Sequence, residues 1–128
     1  MKTIYISLPI TGYDLEERRA TARHQREKLM AEGWAVVDPL NQQENIPDEA
    51  SWQDHMRYDL KMLLSCDAIY MMDGWHTSRG CTTEYLVASD CGLDILGTIC
   101  TDVHPYIVST QSLRELPDDT TIAEEDRQ

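Results

Sequence analysis

Residues 68–92 read AIYMMDGWHTSRGCTTEYLVASDCG, and their organisation sets the architecture of the chain. Ala68 to Met72 is a continuous apolar run of strand length, as expected of a strand covered on both faces. Asp73-Gly74-Trp75 breaks it, because Gly frees the backbone from the extended conformation. Helical spacing returns from about Thr82 to Asp90 and stops near Gly92. The unit is a strand, a loop rich in Gly and hydroxyl groups, and a helix.

The same unit recurs on either side. Upstream, Thr3 to Leu8 (TIYISL) is β-rich and apolar, and Pro9 and Gly12 end it in a loop. Asp14 is placed to cap a helix over Leu15 to Glu32, with Leu15, Ala22 and Leu29 on one stripe and Gly33 as its stop. Trp34 to Val37 is a short second strand closed by Asp38-Pro39, followed by a polar loop from Leu40 to about Pro47. Asp48 or Ser51 starts the next helix, whose apolar stripe is Trp52, Met56, Leu60, Leu63 and Leu64. Downstream, Asp94 to Cys100 is a fourth strand, and Tyr106 to Val108 a short fifth one followed by a helical turn or two. Alternating strands and helices imply an α/β fold: a parallel sheet of four or five strands between two helical layers. Ligands of such sheets bind at the carboxyl ends of strands where strand order reverses. That directs attention to two loops, Pro9 to Tyr13 and Asp73 to Cys81.

Composition narrows the function. The chain has 128 residues, enough for one core. The domain is expected over residues 1–116, with an acidic, flexible tail over 117–128 (PDDTTIAEEDRQ). A net charge of −12 disfavours a nucleic-acid polymer as partner. No apolar run is long enough to span a membrane, and MKTIYISLPITG reads as a buried strand, so a cytoplasmic location is expected. Cys66, Cys81, Cys91 and Cys100 form no Cys-x-x-Cys pair and read as free thiols. Neither a metal nor a cofactor is expected; a zinc site from Cys81, Cys91 and His76 matches no common ligand spacing. His24, His55 and His104 read as surface or boundary residues, and Trp52 as core.

Two carboxylates break the helical patterns around them. Asp59 lies three residues after Met56 and four before Leu63, on or beside a buried face. Glu84 lies three and four residues before Val87 and Ala88, in the first turn of its helix. An inward carboxylate is costly unless paired, hydrogen-bonded or protonated. Glu84 either carries chemistry or complements the helix macrodipole; Asp59 either joins it or pairs with Arg57 or Lys61 at the surface. The loop before Glu84 offers Gly74 and Gly80 for close backbone approach. It also offers Ser78 and Arg79 as hydroxyl and cation before a helix N-terminus, a combination suited to an anionic group. Trp75 is placed either to stack on a base or to pack.

IYISLPITG at the N-terminus, DLKMLLSCDAIYMMDGW in the middle and SRGCTTEYLVASDCG after it resemble the nucleoside 2-deoxyribosyltransferase superfamily, most closely a branch of small, often phage-borne proteins. The resemblance covers roughly Met1 to Ile99. It implies a flavodoxin-like (Rossmann-like) three-layer sandwich, a homodimer or higher oligomer, and a reaction at the N-glycosidic bond of a 2'-deoxyribonucleoside or its 5'-phosphate. It implies further that Glu84 is the nucleophile and that Asp59 handles the proton of the base or sugar. Tyr5 is implied to line the sugar site, with Pro9, Ile10 and Gly12 in the first loop and Gly74, Trp75, Ser78, Arg79 and Gly80 in the second. Ser78 matches a position that is Asp in nucleoside transferases and a phosphate-contacting Ser in the 2'-deoxynucleoside 5'-phosphate N-hydrolases. The chain departs from the family at Leu8, usually Gly, and at Thr11, Arg in the hydrolases. The expected activity is cleavage or transfer of the glycosidic bond of a small nucleotide or nucleoside. The alternative is a sensor or sponge that holds a nucleotide or an ADP-ribose-like ligand without cleaving it.

Overall fold

A computed structural model describes residues 1–42, 47 and 49–98. The expected fifth strand, the end of the fourth beyond Thr98 and the acidic tail lie outside the described residues. The four described strands are β1 (Thr3–Ser7), β2 (Ala35–Val37), β3 (Ala68–Met71) and β4 (Asp94–Gly97). They form one parallel sheet in the order β2-β1-β3-β4. The helices are α1 (Leu15–Ala31), α2 (Pro39–Gln42), α3 (Trp52–Leu64) and α4 (Arg79–Asp90), with a 3-10 turn at Trp75–Thr77.

Side chains alternate across a strand, and β1 divides the core accordingly. Ile4 and Ile6 pack with Leu29 of α1, while Tyr5 packs with Leu63 of α3 and Cys81 and Ala88 of α4. The result is the expected three-layer α/β sandwich. Ile4, Tyr5, Ile6, Leu63 and Ile69 are fully buried; each such apolar side chain contributes about 1.5–3 kcal/mol. The odd-numbered residues of β1, Tyr5 and Ser7, therefore face the α3–α4 layer.

The helix ends follow local chemistry. Asp14 accepts from the Glu17 N–H to start α1. Ser51 and Asp54 form a reciprocal capping box on α3. Ser78 accepts from the Cys81 N–H, so α4 begins three residues earlier than spacing alone suggests. Inside the loop expected from Leu40, a short helical turn forms because Asp38 Oδ1 accepts from the Leu40 N–H.

Three apolar residues are not where helical spacing puts them. Leu15, Trp52 and Leu64 are 41%, 37% and 52% exposed. Each is the first or last residue of its helix, where the side chain overhangs the packed layer. The buried stripe of α1 is instead Arg18, Ala22 and Leu29.

Strand order reverses between β1 and β3, which opens a crevice at their carboxyl ends. Its far side is held by Gly97, with φ of +119°. A Cβ there would lie 2.2 Å from the Met71 carbonyl oxygen. Gly97→Ala is therefore expected to destabilise the fold by at least about 2 kcal/mol, measured by urea unfolding. An unchanged midpoint would contradict the close β3–β4 approach.

Candidate active site

The carboxyl end of β1 and the first turns of α4 meet at Glu84, which is only 5% exposed. The Tyr5 hydroxyl donates to its Oε2 and the Ser7 hydroxyl to its Oε1, both at 2.6 Å. Two donors from one strand thus occupy both oxygens of one buried carboxylate. Burial is the largest influence on Glu84 and raises its pKa to about 7; the nearby Asp59 charge adds to this, and the Ser7 and Tyr5 hydrogen bonds oppose it. Burial also pushes the Tyr5 hydroxyl well above its ordinary value, helped by the Glu84 and Asp59 charges.

Asp59 projects from α3 into the same cleft. Its Oδ1 is buried without a hydrogen-bond partner, and burial raises its pKa to about 6. Among the described residues it makes no ion pair with Arg57 or Lys61. The surface-pair alternative is thereby set aside.

Tyr5, Leu8, Ile10, Asp38, Leu40, Asp59 and Glu84 line this cleft, whose free volume is about 30 Å³. A second cavity of about 410 Å³ is lined by Pro9, Thr11, Tyr13, Trp52 and the Thr77–Gly80 segment. The loop after β1 walls both: Leu8 and Ile10 face the first, Pro9 and Thr11 the second. Glu84 and the N-terminus of α4 therefore connect the two through one helix. Five residues separate Glu84 from Arg79, about 7–8 Å along the helix axis.

The second cavity combines a cation with hydroxyl groups. The Arg79 guanidinium lies flat over the Trp52 ring, 3.8 Å from its centroid. It has no carboxylate partner among the described residues. Thr11, Thr77 and Ser78 share the lining; the Thr77 hydroxyl donates to the Gly74 carbonyl at 2.9 Å. Ser78 Oγ accepts from the Cys81 N–H in the α4 cap, and its side chain also hydrogen-bonds the Cys81 thiol.

The other expected site residues separate into groups. Gly80 lines the second cavity, and a Cβ there would meet Met56 Sδ of α3 in ordinary contact at 3.7 Å. Gly74, at φ of +83°, leaves room for the Tyr13 hydroxyl and Pro9; a Cβ would meet them at 3.4 and 3.6 Å. Gly12 adopts φ of +89° and shapes the first loop without lining either cavity. Trp75 is a correction. It is 1% exposed, packs on Tyr85 with ring centroids 5.1 Å apart, and donates from Nε1 to the Thr98 carbonyl, so it supports the loop from the core side. Trp52, expected in the core, instead lines the second cavity beside Tyr13.

Three contributors carried no sequence signal of their own. Ser7 looked like a strand residue between Ile6 and Leu8. Asp38 looked like a turn residue, yet it lines the cleft, pairs with Arg26 at 3.1 Å and caps α2. Arg18 looked like one of several cations on α1. It is 8% exposed, donates to the Pro9 carbonyl at 3.1 Å, chelates Glu17 and covers the Tyr13 ring. It anchors the loop that separates the cavities.

The sheet order, the layers and the crevice at the β1–β3 switch define a nucleoside 2-deoxyribosyltransferase-like fold. A 2-deoxyribosyltransferase from the psychrotolerant bacterium Bacillus psychrosaccharolyticus, a biocatalyst for nucleoside synthesis, superposes with a TM-score of 0.59 at 17% identity, over 74% of this chain and 70% of that one. A conserved protein from Enterococcus faecalis V583 superposes with a TM-score of 0.56 at 25% identity, over 76% of this chain and 62% of that one. The chain belongs to the family of the domain of unknown function DUF4406, whose model matches residues 2–97. No curated protein matches the sequence. Among the described residues no helix is long and apolar enough to cross a membrane.

The raised pKa of Glu84 has a consequence for stability. Its folded value of about 7 exceeds its ordinary 4.5. Between these pH values the unfolded chain has released a proton that the folded protein still holds, so this contribution is complete below the window and lost as pH rises through it. Glu84→Gln keeps the shape without the charge. Its melting temperature is expected to exceed that of wild type by several degrees at pH 8 and by much less at pH 4.5. An equal difference at both pH values would contradict a buried, proton-retaining carboxyl group.

Proposed function

We propose that the protein cleaves or transfers the N-glycosidic bond of a 2'-deoxyribonucleoside 5'-phosphate, with Glu84 as nucleophile and Asp59 as acid and base. The observation that carries this reading is the sharing of one cleft by two buried carboxyl groups with opposite hydrogen bonding. Glu84 has two donors and Asp59 Oδ1 has none. Donors favour the ionised form, and their absence in a buried site favours the protonated one. A ligand over the cleft further desolvates the half-buried Asp59, while positive charge developing at C1' favours ionised Glu84. The proton of the pair therefore moves to Asp59 when the site is filled.

The step balances as follows. A Glu84 oxygen attacks C1' as the C1'–N bond breaks; the bonding pair leaves with the base, which takes the Asp59 proton. The glycosyl ester then reacts with water, deprotonated by the Asp59 carboxylate, or with a second base, and Glu84 is released. Both halves pass through an oxocarbenium-like state that the carboxylate stabilises electrostatically. No cofactor enters the scheme.

Arg79, the Thr11 and Ser78 hydroxyls and the α4 N-terminus support a 5'-phosphate on the substrate. Their distance from Glu84 along α4 suits the separation of a sugar C1' from its 5' substituent. A second reading has its own observation. The free volume beside Glu84 is only about 30 Å³, with Leu8, Ile10 and Leu40 as walls, whereas the Arg79 cavity is large. A nucleotide held by its phosphate there, with the sugar kept from Glu84, gives a binding protein that does not cleave.

Incubation with deoxynucleoside 5'-monophosphates and deoxynucleosides, followed by measurement of free base, separates the readings. Wild type is expected to release base and Glu84→Ala to lose at least about a hundredfold in rate. Arg79→Ala is expected to raise KM for monophosphates at least tenfold and to leave nucleosides unaffected. Recovery of intact ligand after denaturation, with no free base from any substrate, supports the binding-only reading and contradicts the catalytic one.

A further inference from the structure

Ser7 is fully buried at the carboxyl end of β1. Its hydroxyl donates to Glu84 Oε1 and its oxygen neighbours the Cys81 thiol. An Ala would fill nearly the same space in the strand. The hydroxyl therefore has one strong acceptor, and that acceptor is the proposed nucleophile. Tyr5, two residues earlier on the same strand face, takes the other oxygen. The two contacts fix the plane of the carboxylate against β1, whose register with β3 is itself held by the pairs Tyr5–Ile69 and Ser7–Met71.

Among the described residues, the groups facing Glu84 leave the hydroxyls without help from a cation. Asp59 approaches from α3 and Cys81 from the preceding turn of α4, and Asp38 lines the cleft from the β2–α2 junction. The nearby cations are committed elsewhere: Arg26 to Asp38, Arg18 to Glu17 and Pro9, and Arg79 to the Trp52 ring. Support for a negative charge on Glu84 thus comes from two neutral O–H donors.

We infer that Ser7 is a positioning residue that, with Tyr5, clamps the Glu84 carboxylate in its attacking orientation and ionised form. This rests on the catalytic reading for its purpose but not for its geometry, and the test separates the two. The Ser7→Ala protein, labelled with ¹³C at the Glu side-chain carboxyl, is titrated by NMR beside wild type. Loss of a donor is expected to move the Glu84 midpoint upward. Base release from a deoxynucleoside monophosphate is followed from pH 5 to 9. In Ser7→Ala, kcat is expected to fall at least tenfold with KM changed less than twofold, and the acid limb to move to higher pH. Ser7→Thr, which restores the hydroxyl, is expected to return the midpoint toward wild type; should Ser7→Ala not fold, Ser7→Cys, a weaker donor of similar size, takes its place. An unmoved midpoint in a folded variant overturns the inference, as does a moved midpoint with unchanged kcat and pH profile in an active enzyme. A moved midpoint in a protein that releases no base upholds the clamp and removes the catalytic reading.

Discussion

A carboxylate that is 5% exposed needs donors, and in this protein both come from β1. That constraint organises the α3–α4 side of the molecule. Tyr5 and Ser7 must point to the same sheet face, which fixes the register of β1. The first turns of α4 must dock over the end of β1, which requires the Ser78 cap and the tight turn at Gly74. An unmet buried carboxylate costs several kcal/mol, a large share of the stability of a small domain. A neutral side chain of the same shape is expected to be more stable above neutral pH, and the proposed function accounts for such a trade.

The second organising element is the loop after β1. Alternate residues of one short segment face two different cavities, so its path decides what each can hold. Arg18 fixes that path from α1 through the Pro9 carbonyl and the Tyr13 ring. The second cavity is fixed from the other direction by Trp52, on which Arg79 rests. A protein of net charge −12 thus presents at a cavity a guanidinium with no carboxylate partner among the described residues.

Much of this was legible in the residues. The apolar runs of β1 and β3 and the spacing of the helices gave the layers, because binary pattern and period are local properties. Asp59 and Glu84 stood out because a carboxylate at a core position violates that pattern. Ser7 did not, because Ser in a strand violates nothing; its meaning depends on an acceptor 77 residues away. Arg18 was hidden because its partner is a backbone carbonyl, which has no identity in sequence. The placement of Trp52 at a cavity and of Trp75 in the core was hidden for a related reason. Spacing marks the side of a helix but not where the helix overhangs its neighbours, and a loop position does not reveal that a 3-10 turn folds its ring inward.

The central claim is that Glu84 forms a bond to the sugar. Mass spectrometry of protein quenched in acid during turnover of a deoxynucleoside 5'-monophosphate tests it directly. The account predicts a deoxyribose-phosphate adduct on the peptide carrying Glu84, absent from Glu84→Gln and discharged on addition of a second base. Base release without any adduct on Glu84, or an adduct on another residue, would contradict it.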